Sequence, residues 1–475
     1  MSSPFAPRSR RRVGALAASP VAALVAVLLL AALVVAPAPL AAQQPVPPGE
    51  LPERVSLADA LTIAERQNPG FRQVLNDEEV EDARVRRQRA EYLPTLSASV
   101  SSNAGGSRVY TGTDNFGNPV RLDDPLSFQN SGSTQSIGAS MNLFDFGRRE
   151  ANLGQAQANR RATLATIEQR RLQLRTEVTR NYYQALRSEA SIAIAERQLG
   201  AARDQLTLTD RKFRVATASR EDVLGARQQV ATSEGSLVQA RGEARKARLL
   251  LAEQIGVEVT DDFVLADTIP DFAAVRIGVD SLVGLALRVN PEILAADARV
   301  ASADRGVRVA RTGYLPAINL GASFGRSMNS RGRDAFLRVD PVDQNYGMSL
   351  SFNVPLFDRL QTATTSAQAR ITRDDQRQAY RAQRLSVERQ VRSLAIDLEN
   401  AQERLLRTRE AVAFGRERLE LAEQSFQSGI LNFDQYQLVL DRLASAERDE
   451  LDARVTLATA VVNLEQVVGT TILGQ

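Results

Sequence analysis

The stretch YLPAINLGASFG, residues 314–325, does not share the pattern of the sequence around it. After Pro316, apolar residues alternate with small or polar ones, whereas most of the chain has the Ala-, Arg-, Gln- and Leu-rich spacing of helices. An alternation with a period of two predicts a β-strand with one apolar face. A near copy, YLPTLSASVS, begins at Tyr92, so the sequence predicts the same change from helix to strand twice.

Both stretches belong to an internal duplication of the chain. Asn68 recurs as Asn290 at an offset of 222 residues, and Tyr92 recurs as Tyr314 at the same offset. Later landmarks keep an offset of 213: Phe144 and Phe357, Phe213 and Phe426, and Gly256 and Gly469. So many coincidences in one register identify a sequence repeat.

Proline positions separate strands from helices within each copy. No proline occurs between Pro125 and Pro270 or after Pro355, and because proline breaks helix interiors, long helices are expected in these segments. Large apolar residues recur there every seven positions with small residues between them, as far as turns near 216–219 and 429–432, and the heptads resume afterwards. Each copy therefore predicts a helical hairpin whose longer arm extends about 100 Å.

The alternating segments predict two strands in each copy. Ile318, Leu320 and Phe324 share one face, and the opposite face carries Asn, Gly and Ser. Strands of about ten residues, joined by polar external loops at 105–133 and 326–343, fit transmembrane β-strands with lipid on the apolar face. A soluble sheet that caps a coiled coil is the alternative. Four strands cannot close a barrel and open edges are not tolerated in lipid, so we expect several copies to form a ring.

The N-terminal segment predicts a secretory signal peptide. Four arginines at residues 8–12 precede an apolar run at 21–35 and a small-residue end, with cleavage expected after Ala42. An N-terminal membrane anchor is the alternative, but the run is shorter than the roughly 20 residues that a spanning helix needs. Removal of residues 1–42 leaves 55 basic and 56 acidic side chains, a net charge of −1.

The amino-acid composition argues against most catalytic and metal-binding sites. The chain has no His, Cys or Trp, so the commonest general base and metal ligand, thiol nucleophiles and disulfides are absent. Its arginines are interleaved with acidic residues and do not form the stripe that nucleic acid needs. A secreted hydrolase with two carboxylates remains an alternative, but the acidic residues follow solvated helix faces. We therefore expect no enzymatic activity, no cofactor, no metal and no nucleic-acid partner.

These patterns predict the organisation of the whole chain. The segments are a signal peptide (1–42), a flexible Pro-rich leader (43–55), repeat 1 (56–260), a connector (261–280) and repeat 2 (281–475). In repeat 1 the strands are predicted at about 94–111 and 133–145 and the helical hairpin at about 147–257; in repeat 2 the strands are predicted at about 316–328 and 344–357 and the hairpin at about 359–470.

The mature sequence resembles the TolC family of outer-membrane efflux proteins over about residues 56–469. The resemblance lies in SLADALTIAERQNP (56–69), the paired YLP and LFD motifs, and the turns KFRVATASREDVLGAR (212–227) and SFQSGILNFDQYQL (425–438). It implies a mainly α-helical fold with transmembrane β-strands, in which a trimer forms a twelve-stranded β-barrel in the outer membrane and a twelve-helix α-barrel in the periplasm. The expected function is a passive exit duct for efflux or type I secretion.

The resemblance also implies partners and site residues. The helical tips would dock a periplasmic adaptor, or membrane fusion protein, bound to an RND or ABC pump of the inner membrane. The expected docking residues are Val215, Ala216, Thr217, Ala218, Ser428, Gly429, Ile430 and Leu431. Ala216 replaces the glycine and Leu431 replaces the arginine that are usual in the family, so the family's closing network is not carried over intact. A periplasmic coiled-coil adaptor or scaffold protein is the alternative function.

Two further sets of residues are candidates. A ring of acidic side chains would favour cations at a constriction near the tip, although any one of them can instead be a solvated helix charge. The candidates are Asp222, Asp434 and Asp441. Aromatic residues that would lie at the inner membrane interface are Tyr92, Phe144, Phe146, Tyr314 and Phe357.

Overall fold

The computed structural model describes residues 52–258, 262–272, 278–331, 343–428 and 430–470. The predicted signal peptide at 1–42 and the predicted docking residue Gly429 lie outside these residues. The described residues form two spatial units. The sheet unit comprises Pro94–Met141 and Leu320–Ser349, and the helical unit contains the remaining described residues.

Each unit draws on both copies of the repeat. Along the chain the elements are β1 (Arg54–Val55), α1 (Leu57–Gln67), α2 (Pro69–Ala90), β2 (Thr95–Thr113), β3 (Pro119–Phe144), α3 (Arg148–Arg214), α4 (Arg220–Ile255), β4 (Val264–Leu265), α5 (Val279–Val289), α6 (Pro291–Arg311), β5 (Ala317–Arg331), β6 (Asp343–Asn353), α7 (Gln361–Gln427) and α8 (Phe433–Val468). The predicted fold class, four strands in a sheet and two long helical hairpins, is confirmed. In the described part of the chain, no helix is both long and apolar enough to cross a membrane.

The sheet unit has the strand order β2-β3-β5-β6. β2 and β3 are antiparallel, with Thr95 opposite Ser140. A tight turn joins them, in which Asp114 Oδ1 accepts hydrogen bonds from the backbone N–H groups of Phe116 and Asn118, each at 2.9 Å. An Asp side chain that accepts local backbone N–H groups stabilises a turn of this kind.

The strands differ from the sequence prediction in their ends. β2 ends at Thr113, close to its predicted end at about 111, but β3 begins at Pro119 and not near 133, so the long polar loop expected at 105–133 is mostly strand. Because each strand satisfies the backbone N–H and C=O groups of its neighbour, a Ser-, Gly- and Asn-rich composition does not end the pairing. Conversely, β6 ends at Asn353 and not near 357, since Pro355 has no N–H group for the ladder.

The helical unit repeats itself closely. α3 and α7 each contain 67 residues, and α4 and α8 each contain 36. Asp145 Oδ2 accepts the backbone N–H of Arg149 at 3.1 Å at the start of α3. The equivalent Asp358 Oδ2 accepts the N–H of Thr362 at 2.7 Å at the start of α7. The same aspartate contact, made from two residues before the N-cap, therefore stabilises the start of both long helices.

An asparagine closes the end of each hairpin that lies away from its turn. Asn68 Oδ1 accepts the N–H of Phe71 at 2.9 Å and so caps α2, while its Nδ2 donates to Gln254 O at 2.8 Å near the end of α4. In the second copy, Asn290 Nδ2 donates to Val467 O at 2.7 Å near the end of α8. One side chain in each copy thus holds a short helix against the last turn of a long hairpin.

A glycine is required beside each of these asparagines. Gly256 and Gly469 both have a φ of +86°, a conformation that other residues adopt only with strain. A Cβ at Gly256 would lie 2.6 Å from Asn68 Cα. The glycine therefore permits both the helix end and the close approach of the Asn-Pro segment.

The leader and the connector contain structure that the sequence did not predict. Arg54 and Val55, at the end of the leader, pair in parallel with Val264 and Leu265 in the connector. The Tyr182 hydroxyl lies 2.9 Å from Val55 O and 3.0 Å from Asp267 Oδ2, and burial raises its pKa. The prediction of a flexible leader as far as residue 55 is wrong at its last two residues, because these contacts bury Val55.

We expect Gly256→Ala to reduce the free energy of unfolding by about 2 kcal/mol, because alanine would be strained at this φ and its Cβ would meet Asn68. The measurement is urea unfolding followed by circular dichroism. The matched control is Gly235→Ala within α4, where a Cβ meets no atom within 4 Å, and where alanine should stabilise the helix by up to about 1 kcal/mol. Equal effects of the two substitutions would contradict the role assigned to Gly256.

Candidate functional site

The first tip is the turn between α3 and α4. Ala216 has a φ of +59°, and Thr217 donates its backbone N–H and its hydroxyl to Lys212 O at 2.9 and 3.0 Å. An alanine therefore adopts the left-handed backbone conformation that glycine normally provides in such a turn. Val215 stands at the apex with 69% of its surface exposed.

The second tip lies between α7 and α8. The backbone N–H groups of Ile430 and Leu431 donate to Ser425 O at 2.9 and 3.1 Å, and the Ser428 hydroxyl donates to Gln424 O at 3.0 Å. Ile430 is 80% exposed, whereas Leu431 packs against a small cluster around Phe426. Each tip therefore presents one exposed apolar side chain at its apex.

The acidic candidates have different environments. Asp222 Oδ2 accepts both the backbone N–H and the hydroxyl of Ser219, at 2.7 and 2.8 Å. Its carboxylate is therefore part of the capping box at the start of α4. Asp434 is exposed in the first turn of α8, and Asp441 is exposed two turns later, where it accepts from Gln437 Nε2 at 3.3 Å. Among the described residues no three acidic side chains converge as a metal site would require.

Sequence reasoning missed Lys212, which joins the two tips. Its Nζ donates to Phe426 O at 2.9 Å and lies 4.0 Å from the centroid of the Phe426 ring. The ammonium thus contacts a C-terminal carbonyl of α7 and an aromatic face together. The available signal was composition: only two of the 59 basic residues are lysines, Lys212 and Lys246.

The equivalent residues Phe213 and Phe426 have opposite environments. Phe426 is 6% exposed and stacks on Tyr436, with ring centroids 5.1 Å apart, whereas Phe213 is 43% exposed. Both residues belong to the seven-residue apolar series that predicts one buried face on each long helix, and this prediction is wrong for Phe213. Val223 occupies the position of Tyr436 in the first copy and offers no ring.

Tyr436 is held in its neutral form. Burial, together with the nearby Glu423 carboxylate, raises the pKa of Tyr436 to about 12. The hydroxyl lies 3.4 Å from Glu423 Oε1. The second tip therefore contains a stacked aromatic pair whose polar end stays uncharged across the physiological pH range.

Polar contacts link the two copies along α3 and α8. Arg187 pairs with Asp452, Arg197 Nη2 lies 2.9 Å from Glu447 Oε2, and Arg180 Nε donates to Asn463 Oδ1 at 2.9 Å. These side chains are partly exposed, so each pair contributes at most about 1 kcal/mol. They connect α3 and α8 at three places along the two helices.

The aromatic candidates are exposed at the ends of the long segments. Phe144 and Phe146 pack edge to face at 4.6 Å. The Arg149 guanidinium lies 4.6 Å from the centroid of the Tyr92 ring and pairs with Asp145. Tyr314 and Phe357 are the remaining exposed candidates.

A sheet with one apolar face, joined in one chain to two hairpins of 67- and 36-residue helices, defines the protomer of a bacterial outer-membrane channel. Residues 60–257 and 282–470, most of the chain, match the model of the outer membrane efflux protein family. The chain therefore belongs to the outer membrane efflux protein family and is an outer-membrane protein.

Individual relatives agree with this assignment. Protein CyaE of Bordetella pertussis is 28% identical over 320 residues, which are 66% of this chain and 62% of CyaE. Outer membrane protein TolC of Vibrio cholerae is 25% identical over 62% of this chain and 67% of its own length. The chain thus spans less than two thirds of CyaE. The open-state structure of the MtrE outer membrane channel of Neisseria gonorrhoeae superposes with a TM-score of 0.68 at 21% identity, over 87% of this chain and 89% of MtrE, which shows the shared fold.

We expect Lys212→Met to loosen the end of α7, because methionine keeps the apolar stem but loses the hydrogen bond and the cation–π contact. Amide hydrogen exchange in the last two turns of α7 should become about tenfold faster. Lys246→Met is the control, since Lys246 is exposed and pairs only with Glu243 on its own helix among the described residues. Equal exchange in both variants would contradict the link between the tips.

Proposed function

We propose that the chain is one of three identical protomers of a passive exit duct, which serves efflux or type I secretion across the outer membrane. The four-stranded sheet with two open edges carries this proposal. Among the described strands, β2 and β6 each pair on one side only. Open edges in lipid leave backbone groups unsatisfied, so further copies must complete the sheet. Three copies supply twelve strands, and the duplicated hairpins supply twelve long helices.

A duct of this kind needs no chemistry of its own. The family is one of channels, which supports the expectation that the chain is not an enzyme. A periplasmic adaptor would carry one helical hairpin between small β-domains, whereas this chain carries two hairpins and a four-stranded sheet. The energy for export would come from an inner-membrane pump of the RND or ABC class.

The tips are the proposed docking surface for a periplasmic adaptor. Val215 and Ile430 present apolar side chains to solvent at the apex of the two turns, and apolar anchors of this kind provide much of the affinity at protein interfaces. The neighbouring Ala216, Thr217, Ala218, Ser428, Gly429 and Leu431 complete the proposed surface. The exposed aromatic residues Tyr92, Phe144, Phe146, Tyr314 and Phe357 are proposed to lie at the inner membrane interface.

We expect Ile430→Asp to abolish pump-dependent resistance or secretion in cells, because a charge at the apex opposes burial against the adaptor. The purified variant should still form a trimer and conduct ions in planar bilayers, which separates docking from assembly. Ile430→Leu, which keeps an apolar anchor, should retain function. Full export by Ile430→Asp would refute the docking assignment, and a monomeric wild-type protein without conductance would refute the duct.

The three acidic candidates are expected to differ in their effect on ion selectivity. Asp434→Asn and Asp441→Asn should each reduce cation selectivity, measured as the reversal potential in a salt gradient, if these exposed carboxylates line the constriction. Asp222→Asn should change selectivity less and destabilise the start of α4 by up to about 1 kcal/mol, because Asp222 serves the cap. Unchanged reversal potentials in all three variants would identify them as solvated helix charges.

A further inference from the structure

One face of the sheet unit changes from apolar to polar at Arg326. Gly325 lies against Asn345 and Gly321 lies against Ser349, so Arg326 in β5 is opposite Gln344 in β6. On the other side of β5, Gly132 in β3 faces the side chain of Asn329, so Arg326, three residues before Asn329, is opposite Gln135, three residues after Gly132. Gln135 is in turn opposite Val100 in β2.

The row of residues that contains Arg326 is more polar than the row before it. One row nearer to the start of β5, the same face carries Ala98, Ile137, Phe324 and Tyr346, by the same register. The next row carries Val100, Gln135, Arg326 and Gln344. Three of its four side chains can donate hydrogen bonds, so the apolar face ends here.

The position of Arg326 matches the edge of a hydrocarbon layer. An Arg on a lipid-facing strand costs about 2–4 kcal/mol at the middle of a bilayer and about 0–1 kcal/mol near the interface. Arg326 lies eight positions after Ile318, the first large apolar residue on this face of β5. This is about 26 Å along the strand and, at a tilt of about 35–45°, about 20 Å in height, close to the apolar band of about 25 Å in such barrels. Arg326 is therefore expected at the boundary where lipid headgroups begin.

At least one hydrogen-bond donor of the Arg326 guanidinium has no partner. None of the ion pairs between described residues includes Arg326, and its Nε is buried without a hydrogen-bond partner. A buried donor without a partner costs about 1–3 kcal/mol. A planar guanidinium binds phosphate oxygens in a bidentate manner, and the Arg326 side chain as a whole is only partly buried.

We propose that Arg326, flanked by the amides of Gln135 and Gln344, binds the phosphate of a lipid headgroup in the outer leaflet. This proposal rests on the proposed insertion of the sheet into the outer membrane. Because β5 follows α6 in the chain, the proposed insertion would place its Ala317 end toward the periplasm and its Arg326 end toward the outer leaflet. The site would anchor the sheet at a fixed depth and would not take part in transport.

The test compares the wild-type trimer with Arg326→Gln in detergent. Diphosphorylated lipid A and chemically dephosphorylated lipid A are the two probes, with native mass spectrometry and the melting temperature as measurements. We expect the wild type to bind the phosphorylated lipid about tenfold more tightly than Arg326→Gln does, and the phosphorylated lipid alone to raise its melting temperature. Arg108→Gln is the matched control, because Arg108 lies eight residues beyond Val100 on β2, outside the expected boundary.

Several outcomes would overturn the proposal. Equal binding by the wild type and Arg326→Gln, or equal binding of both lipids, would exclude a phosphate site at Arg326. An equal stabilisation by inorganic phosphate alone would assign the site to free phosphate. Arg326→Lys, which keeps the charge but loses the bidentate geometry, provides a second variant if Arg326→Gln does not assemble. Ion conductance of the same samples tests the duct separately, so failure of one proposal is distinguishable from failure of the other.

Discussion

One asparagine in each copy joins the end of its long hairpin to the helix that follows the Asn-Pro segment. Asn68 caps a short helix with its carbonyl and donates its amide to the end of α4, and Asn290 repeats both contacts with α6 and α8. The contacts depend on a glycine at the end of each hairpin, because another residue would be strained there and would meet the asparagine backbone. The hairpins extend from these two points, so their register at the distant tips starts from this junction.

Duplication supplies the same backbone twice, and the two copies then differ in side chains. Capping boxes at Ser219 and Asn432 begin the second arm of both hairpins, yet the two tips are packed differently. Phe426 is buried against Tyr436 and receives Lys212 from the other copy, whereas Phe213 remains exposed. One copy thus provides the aromatic surface and the other provides the cation. The two tips therefore differ in side-chain packing and are connected by the contact between Lys212 and Phe426.

The sheet unit obeys a different constraint. Its strands are held by backbone hydrogen bonds, so their length is independent of the strong side-chain preferences that define the helices. Serine, glycine and asparagine cover one face, and the other face is apolar as far as Arg326. Such a sheet has edges that require partners and a face that requires lipid. The open edges point away from a protein that works as a single copy.

The sequence by itself determined the fold class, the duplication and the approximate positions of the hairpins and tips. These features depend on local periodicity and on proline, which act over a few residues. Tertiary structure alone decided that β2 and β3 extend through a polar stretch, that Val55 pairs with Leu265, and that Phe213 is exposed while its equivalent is buried. It also brought Lys212 to Phe426, 214 residues away. Contacts between distant segments depend on which side chains meet after packing, and no local pattern in the sequence encodes that.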